Sequence, residues 1–469
     1  MNTPLVSIVV PAYGGADYLG QAIDSVLGQT YPHFELIVVN DCSPDHTEEV
    51  VRSYADPRIV YLCHEQNRGA VAARNTGVEA ARGDLIAYLD QDDYFHPEKL
   101  QRHVAYLQAF PNVGATYNNR FELNHSATTI GDIWRMHRPL TLADFVLGFP
   151  VAPSDLVLRR EWAMRRDLWD ERQLFHGGEI VTYGRLYLAG CQFGHVDRAL
   201  TYHRYHSGRV LRNLTHQCQS YLTAQETIFG DARCPKEVIA LRDEAFCGSY
   251  MVWSAYALAQ EETGVAHELM QAAIALRPEI LEGRPSEYIN FLLYSAMGDD
   301  NLDHGAVLRR MLHHIPEEAA SLRQEYPWAV ARGHLLRGTR AIIWDRHEDG
   351  HFHFDRAAAL GAQFDDSYVE NLTHWLMNYS NEFGEAAAAP VVDRLIPYVR
   401  AIGGRQAVSK MKANYAVKQA FRQYNKCHYD SVPGELMRAF GAEPRLIANR
   451  GLISILLRSY YFRLLSQGG

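Results

Sequence analysis

Residues 85–93 read LIAYLDQDD, an apolar run typical of a buried strand that ends in three carboxylates. Two similar apolar runs precede it, LVSIVV at residues 5–10 and FELIVV at residues 34–39, and stretches with helical spacing separate the runs. Strands that are apolar throughout and alternate with helices predict a parallel sheet covered on both faces. Ligands of such sheets bind at the carboxyl ends of the strands. The polar residues after FELIVV and after LIAYL are therefore predicted to share one cleft.

The composition of the 469-residue chain indicates folded domains. Hydrophobic residues make up 47% and charged residues 22%, which excludes disordered, collagen-like and coiled-coil classes. The net charge of −9 argues against a nucleic-acid-binding protein. Seven scattered cysteines without a CxxC pair are typical of free thiols in a reducing compartment. With no signal peptide and no run of about 18 apolar residues, we expect a soluble cytoplasmic protein.

The pattern changes from about residue 220 onward, where strand signals stop and Ala- and Leu-rich helical stretches take over. Residues 250–262 and 265–276 are two such stretches, joined by a short turn. This rhythm favours stacked helical hairpins, and MQAAIALRP resembles the second helix of a tetratricopeptide-type repeat, although the period is irregular. The predicted domains are residues 1–220, residues 221–404 and residues 405–469.

The last segment, residues 405–469, is basic, with eleven Lys or Arg against three Asp or Glu. Its apolar residues follow helical spacing, with Arg458 and Arg463 between them. One interpretation is a helix that lies on a membrane surface. The other is a helix that closes the end of the helical domain, because terminal repeats commonly carry atypical caps.

Three carboxylates of the LDQDD stretch, Asp90, Asp92 and Asp93, lie within four residues and repel one another. Such clustering raises pKa values unless a cation neutralises it. Mg²⁺ and Mn²⁺ prefer oxygen ligands and are often held by one or two carboxylates together with substrate phosphates. The alternative is a solvated acidic turn before the helix that starts near Pro97. Asp41, after the preceding strand, is either a second polar group of the same cleft or a helix N-cap.

Several motifs together resemble one family. The segments SIVVPAYGGADYLGQAIDSVLGQTYPHFELIVVNDCSPD and NRGAVAARNTGVEAARGDLIAYLDQDD look like an inverting glycosyltransferase of family 2 with the GT-A fold. The resemblance covers roughly residues 4–210. It implies a Rossmann-like α/β domain with a mostly parallel sheet, followed here by an all-α region.

The resemblance also implies roles for individual residues. Pro11, Ala12 and Tyr13 would line the nucleotide base, and Asp41 would accept a hydrogen bond from it. A divalent cation, Mn²⁺ or Mg²⁺, would bridge the donor's phosphates. The nucleotide-sugar-binding residues implied are Pro11, Ala12, Tyr13, Asp41, Arg68, Asp90, Gln91 and Arg204, and the metal ligands implied are Asp92, Asp90 and His206.

The general base is the point at which the chain departs from the family. The usual Glu-Asp pair is replaced by Gly178-Glu179, so the implied base is Glu179, a carboxylate one methylene longer. The alternative for Glu179 is an acid favoured at a helix start, and Glu171 is a second candidate. In LTYHRYHS, His206 fits the family's metal-site position better than His203. Alternation along this strand makes Arg204 a candidate phosphate contact.

These motifs predict an inverting glycosyltransferase that uses a nucleotide-sugar donor, with UDP as the default nucleotide. The acceptor is predicted to be a saccharide, a lipid-linked molecule or a protein. The helical half would bind the acceptor or mediate homo-oligomer formation, and the basic end would contact a membrane peripherally. The alternative is a non-catalytic nucleotide-sugar-binding protein or a helical-repeat scaffold.

Overall fold

The computed structural model describes residues 3–123, 130–136, 139–148, 151–165, 178–204, 213–298 and 302–467. For residues 178–180 and 464–467 it describes the backbone only. Two compact units are present. The first unit comprises Met1–Ile130 and Trp134–Tyr326, and the second comprises Gly131–Ile133 and Pro327–Gly469.

A mixed β-sheet forms the centre of the first unit. Its strands follow the order β3-β2-β1-β4-β8-β6-β9-β5. The four strands β3, β2, β1 and β4 are parallel, as predicted, whereas β8 is antiparallel to both of its neighbours. The strands are β1 Val6–Ala12, β2 Phe34–Asn40, β3 Ile59–Cys63, β4 Leu85–Tyr88, β5 Tyr94–Phe95, β6 Val113–Leu123, β7 Ile130–Trp134, β8 Leu156–Arg159 and β9 Gln192–Arg204.

The central strands are apolar throughout because both faces of the sheet are covered. Along β1, Ile8 and Val10 pack into the core on one face, and Val9 packs into the core on the other. Helices cover these faces, and the one that follows β3 approaches closely: a Cβ on its Gly77 would lie 2.3 Å from a methyl carbon of Val9. The helices of this part are α1 Ala16–Leu27, α2 Thr47–Arg52, α3 Ala70–Ala80, α4 Lys99–Ala109, α5 Leu142–Leu147, α6 Arg160–Ala163 and α7 Gly178–Leu188.

After β9 the described residues form helices and no further strand. The predicted fold class, an α/β domain followed by an all-α region, is therefore confirmed. The helices are α8 Leu214–Phe229, α9 Lys236–Ile239, α10 Arg242–Ala259, α11 Thr263–Leu276, α12 Glu287–Ala296, α13 His304–His313, α14 Tyr326–Ile343, α15 His347–Ala359, α16 Asp366–Phe383, α17 Glu385–Asn425, α18 Val432–Ala442 and α19 Arg450–Gln467. Within α17, Gly404 has non-helical backbone angles and marks a kink.

The compact units divide at residues 326/327, whereas the sequence predicted a boundary at residue 220. The difference arises because the first helices after β9 pack onto the sheet domain. Val146 of α5 shares a hydrophobic cluster with Ile228 and Phe229 of α8. The Gln225 side chain donates a hydrogen bond to the Val146 carbonyl oxygen, at 2.7 Å. Helices α8 to α13 therefore belong to the same unit as the sheet.

The basic carboxyl-terminal segment has two different sides. Leu452 of α19 packs with Leu436 and Phe440 of α18, so one side of this helix is buried. Leu457 and Tyr461 of α19 are exposed, at 63% and 59%. Within the described helices, none combines the length and the apolar character needed to cross a bilayer. Both interpretations of this segment, a closing helix and a membrane-surface helix, stay predictions.

Candidate functional site

The ends of β1 and β4 are joined by the side chain of Gln91. Its Oε1 accepts a hydrogen bond from the Tyr13 amide at 2.9 Å, and its Nε2 donates to the Tyr13 carbonyl oxygen at 2.8 Å. A Cβ at position 15 would lie 2.4 Å from Gln91 Nε2, so a larger residue than Gly15 would displace the Gln91 amide. The Pro11–Tyr13 strand end and the acidic turn therefore form one rigid rim, with Tyr13 half exposed.

Asp41 lies at the end of the neighbouring strand β2 and is buried. Its two carboxylate oxygens accept hydrogen bonds from the backbone amides of Arg68 and Gly69, at 2.8 and 2.7 Å. The His64 ring Nδ1 lies 2.7 Å from the same carboxylate. Asp41 thus orders the loop that leads into α3 and presents the exposed Arg68. A contact of Asp41 with a nucleotide base stays a prediction.

The turn after β2 is also tied to the loop after β1. Ser43 Oγ accepts a hydrogen bond from the Gly14 amide at 2.8 Å, and Asp45 accepts one from the Ala16 amide at 3.0 Å. Burial alone would raise the pKa of Asp45, but hydrogen bonds from Ser43, Thr47 and Ala16 outweigh burial and lower this pKa to about 2. The strand ends of β1, β2 and β4 are therefore cross-linked into one edge.

The acidic turn after β4 has one paired, one half-buried and one fully buried carboxylate. Asp90 Oδ1 accepts a hydrogen bond from Arg74 of α3, at 2.7 Å. Asp92 is half-buried. Asp93 is buried and accepts hydrogen bonds from Ser154 Oγ at 2.5 Å and the Arg204 amide at 3.1 Å. Burial, together with the charges of Asp92 and Asp90, raises the pKa of Asp93 to about 7.

The donor set of this turn fits a divalent cation that takes only part of its ligands from protein. Asp93 is committed to Ser154 and to the Arg204 amide, and Asp90 and Asp92 are the two less buried carboxylates of the turn. No group of three or more His, Cys, Asp or Glu side chains suited to a metal occurs within the described residues. Two carboxylates plus substrate phosphates is a usual arrangement for Mg²⁺.

Arg204, predicted as a phosphate contact, is largely buried at the end of β9. Its Nε donates to the Asp92 carbonyl oxygen at 3.1 Å, and its Nη2 donates to Gln21 of α1 at 2.6 Å. The guanidinium also lies 4.7 Å from the centre of the Tyr18 ring. Arg204 therefore fixes the backbone that carries Asp92. Its contact with a phosphate stays a prediction.

The side chains of three predicted residues lie outside the described part of the structure. Glu179 is the second residue of α7, and its side chain lies outside the described part of the structure. His206 and the second candidate base, Glu171, also lie outside the described residues. Their roles stay predictions.

A partly buried charged network behind the acidic turn was not predicted from the sequence. Arg120 bridges Asp155 at 2.9 Å and Glu122 at 2.6 Å, and Glu122 also accepts from His203 at 3.0 Å. Burial would lower the pKa of His203, but Asp93 and Glu122 raise it to about 9. These residues lie on β6, β9 and the segment before β8. Because only the order of the strands in the sheet brings these residues together, no local sequence motif predicts the network.

Glu122→Gln should reveal the charge on His203. A histidine whose folded pKa is raised to about 9 contributes stability that is complete below its unfolded pKa, about 6.5, and is lost as the pH rises through 9. Both side chains keep about a third of their surface exposed (34% and 30%). We therefore expect the variant to lose about 1 kcal/mol in the free energy of unfolding near pH 6, and less near pH 10. Urea denaturation at both pH values measures this.

Glu226→Gln provides a matched control, because Glu226 pairs with Arg242 on the surface of the same unit. Its cost should be the same at both pH values, since this pair contains no histidine. An equal cost of Glu122→Gln near pH 6 and near pH 10 would contradict the assigned charge on His203.

Comparisons with known proteins agree with the motifs. Residues 7–160 match the model of glycosyl transferase family 2, which confirms the resemblance for this part of the chain. A Bacillus subtilis protein named as the teichuronic acid biosynthesis glycosyltransferase TuaG is 41% identical over 106 residues, 22% of this chain and 42% of that protein. The succinoglycan biosynthesis protein ExoO of Rhizobium meliloti is 45% identical over 103 residues, 22% of this chain and 30% of that protein. The chain thus spans less than half the length of these relatives.

Two solved structures are similar at low sequence identity. Staphylococcus aureus TarS 1–349 in complex with UDP has a TM-score of 0.39 and 16% identity, covering 71% of this chain and 91% of that one. Mannosyltransferase PcManGT from Pyrobaculum calidifontis, in complex with GDP-Man and Mn²⁺, has a TM-score of 0.42 and 18% identity. It covers 66% of this chain and 86% of that one.

Proposed function

We propose that this chain, whose residues 7–160 form a glycosyl transferase family 2 domain, transfers a sugar from a nucleoside-diphosphate donor to an acceptor hydroxyl. The observation that carries the proposal is the single edge formed by the ends of β1, β2 and β4. There the Gln91 side chain bonds to the Tyr13 backbone at 2.9 and 2.8 Å, which sets an exposed aromatic ring beside the acidic turn. An aromatic ring and carboxylates on one edge suit the two ends of a nucleoside diphosphate, its base and its phosphates.

The donor end of the reaction uses Asp90 and Asp92, which would hold Mn²⁺ or Mg²⁺. When bound, such a cation neutralises the negative charge that builds on the departing diphosphate. Arg74 pairs with Asp90 and keeps that carboxylate oriented. Arg204 holds the Asp92 backbone through its hydrogen bond to the carbonyl oxygen. The exposed Arg68, on the loop ordered by Asp41, supplies a positive charge for the nucleotide.

The acceptor end of the reaction uses Glu179 as the general base. Glu179 takes the proton of the acceptor hydroxyl while the acceptor oxygen forms a bond to the anomeric carbon of the sugar. The bond from that carbon to the diphosphate oxygen breaks, the diphosphate leaves with the electron pair, and the anomeric configuration inverts.

The donor and acceptor are proposed by chemical class. UDP is the default nucleotide. A saccharide acceptor is favoured over a lipid-linked or protein acceptor, since two relatives are named for the biosynthesis of the polysaccharides teichuronic acid and succinoglycan. A second function, nucleotide-sugar binding without transfer, is suggested by Gly178-Glu179 in place of the usual Glu-Asp pair.

A donor screen tests the proposal. We expect the intact chain to release nucleoside diphosphate slowly from either UDP-sugars or GDP-sugars, because water replaces the absent acceptor. Release should require Mn²⁺ or Mg²⁺ and stop when EDTA removes the cation. Diphosphate release is measured with a coupled luminescence assay, and donor binding is measured in parallel by calorimetry.

The two measurements separate the two functions. Binding with no release, also after addition of saccharide acceptors, would favour the non-catalytic function. Neither binding nor release with any UDP- or GDP-sugar would contradict both functions. Release that is insensitive to EDTA would contradict the cation's role and leave the transferase assignment in place.

A further inference from the structure

The outward side of α19 is apolar, although the opposite side of this helix already packs inside the second unit. Leu452 and Ser459 are buried, and Leu452 packs against α18. The apolar residues on the outward side, each exposing between 46% and 63% of its surface, are Leu457, Tyr460 and Tyr461. A helix that is apolar on both sides normally has neighbours on both sides. The outward side of α19 therefore has the composition of a contact surface.

These outward residues form one patch with two arginines. Positions 457, 460 and 461 have the spacing i, i+3, i+4, and residues with this spacing lie on one face of a helix. Arg450 precedes Leu457 by seven residues, or about two turns, and therefore lies on the same face. Arg458 borders the face, and both arginines are exposed. We call these five residues the α19 patch.

The charge around the α19 patch has a single sign. Residues 444–469 contain four arginines and no aspartate or glutamate. Arg463 pairs with Asp430 at 2.9 Å and is committed to the second unit itself. Within the part of the chain that the structure describes, no ion pair engages Arg450 or Arg458. These two positive charges are therefore available to a negatively charged partner.

An apolar patch with tyrosines and arginines matches the chemistry of a bilayer surface that contains anionic lipids. Tyrosine has an apolar ring and a polar tip, and it is enriched where headgroups meet acyl chains. Arginines near such a surface are attracted by the negative headgroups. A helix that combines both features lies in the plane of the interface.

Two other partners fit the patch less well. A second copy of this chain, related by a twofold axis, would place the same patch against itself. Its arginines would then repel their counterparts, and residues 444–469 provide no acid to offset them. A nucleic acid would attract the arginines through its phosphates but would leave the apolar Leu457 without an apolar partner.

We propose that the α19 patch binds the surface of a bilayer that contains anionic phospholipids. The side chains of Leu457, Tyr460 and Tyr461 enter the headgroup layer. The guanidinium groups of Arg450 and Arg458 bond to lipid phosphates. This inference goes beyond the proposed function and does not depend on it, because no donor, cation or acceptor takes part in the contact.

Co-sedimentation of the full chain with vesicles tests the proposal. The probes are vesicles of phosphatidylcholine alone and vesicles in which about one third of the lipid is phosphatidylglycerol. We expect binding to the mixed vesicles to be at least about tenfold stronger than to phosphatidylcholine alone, and to weaken as salt screens the charges. The double variant Leu457→Ser/Arg458→Gln should bind the mixed vesicles at least about tenfold more weakly than the wild type.

A matched control is the double variant Arg356→Gln/Leu360→Ser. It removes the same two residue types from exposed positions at the end of α15, in the same unit. This control should bind the mixed vesicles as the wild type does. All four substituted residues are exposed, so both variants are expected to fold, and thermal denaturation checks this.

Several results would overturn the proposal. They are absence of binding to the mixed vesicles, equal binding to both kinds of vesicle, unchanged binding by the α19 variant, and an equal loss in the α15 control. Self-association that the α19 variant abolishes, without any vesicle binding, would assign the patch to a second copy of the chain instead. Asp92→Ala should bind vesicles as the wild type does, so failure of the membrane contact and failure of the transferase function give different results.

Discussion

Replacing Asp92 with alanine is expected to lower donor-dependent diphosphate release by about 10³-fold. The side chain is half-buried, and we propose that it binds a cation shared with the donor's phosphates. Its backbone is held independently, because the Asp92 carbonyl oxygen accepts from Arg204 Nε at 3.1 Å. The turn should therefore survive the substitution, and the loss should reflect missing charge at the leaving diphosphate. Initial rates at saturating Mn²⁺ measure the effect.

The control for Asp92→Ala is Asp17→Ala, which removes an equally charged but exposed carboxylate from the first turn of α1. It should retain near-full release and thereby exclude an effect of net charge. Asp92→Asn should be as impaired as Asp92→Ala, because the amide keeps the shape but loses the negative charge that binds the cation. Equal release by the wild type and by Asp92→Ala would refute the metal assignment.

The parallel part of the sheet could be predicted from the sequence because its signal is local. An apolar run such as FELIVV indicates a strand buried on both faces, and the polar residues after it mark its carboxyl end. The antiparallel strand β8 could not be predicted in this way. In its pairing with β4, Leu85 lies opposite Arg159. Because these residues are far apart in the sequence, their register is set by the assembled sheet and not by a local signal.

The acidic residues of the site were predictable, but their partners were not. Clustered carboxylates predict raised pKa values, and burial with neighbouring charge does raise that of Asp93 to about 7. The sequence does not show that Arg74 neutralises Asp90, because α3 and the end of β4 meet only in the folded sheet. The signal present in the sequence was Arg74, a basic residue in the first turns of α3, which precedes the acidic end of β4.

Gln91 and Asp41 show how a predicted ligand contact can coincide with a structural role. Both were assigned to the nucleotide from the motifs. In the structure, the Gln91 amide bonds to the Tyr13 backbone, and Asp41 accepts from the Arg68 and Gly69 amides. Such short side chains bond most readily to nearby backbone groups in a tight loop. Sequence reasoning therefore placed these residues at one edge of the sheet, while their atomic partners could be seen only in the folded chain.

Glu179→Gln is expected to lower the rate of sugar transfer by about 10³-fold while donor binding stays unchanged. The amide keeps the size of the side chain but cannot accept the acceptor's proton. The wild-type rate should fall at acidic pH as the Glu179 carboxylate is protonated, and this acidic limb should be absent from the variant's residual activity. Transfer of labelled sugar to a saccharide acceptor, followed from about pH 4 to pH 9, measures both effects.

Two further variants make the Glu179 test specific. Glu179→Asp restores the residue type that the family usually has at this position and should recover much of the transfer rate, because only reach changes. Glu161→Gln, an exposed acid on α6 of the same unit, should transfer normally. If Glu179→Gln retained near-full transfer, another group would have to take the proton, and Glu171→Gln would then be expected to show the loss. Donor binding is measured in every variant to detect any effect on the fold. Loss of the base alone should leave donor binding unchanged, because the base acts on the acceptor and not on the Asp90–Asp92 turn.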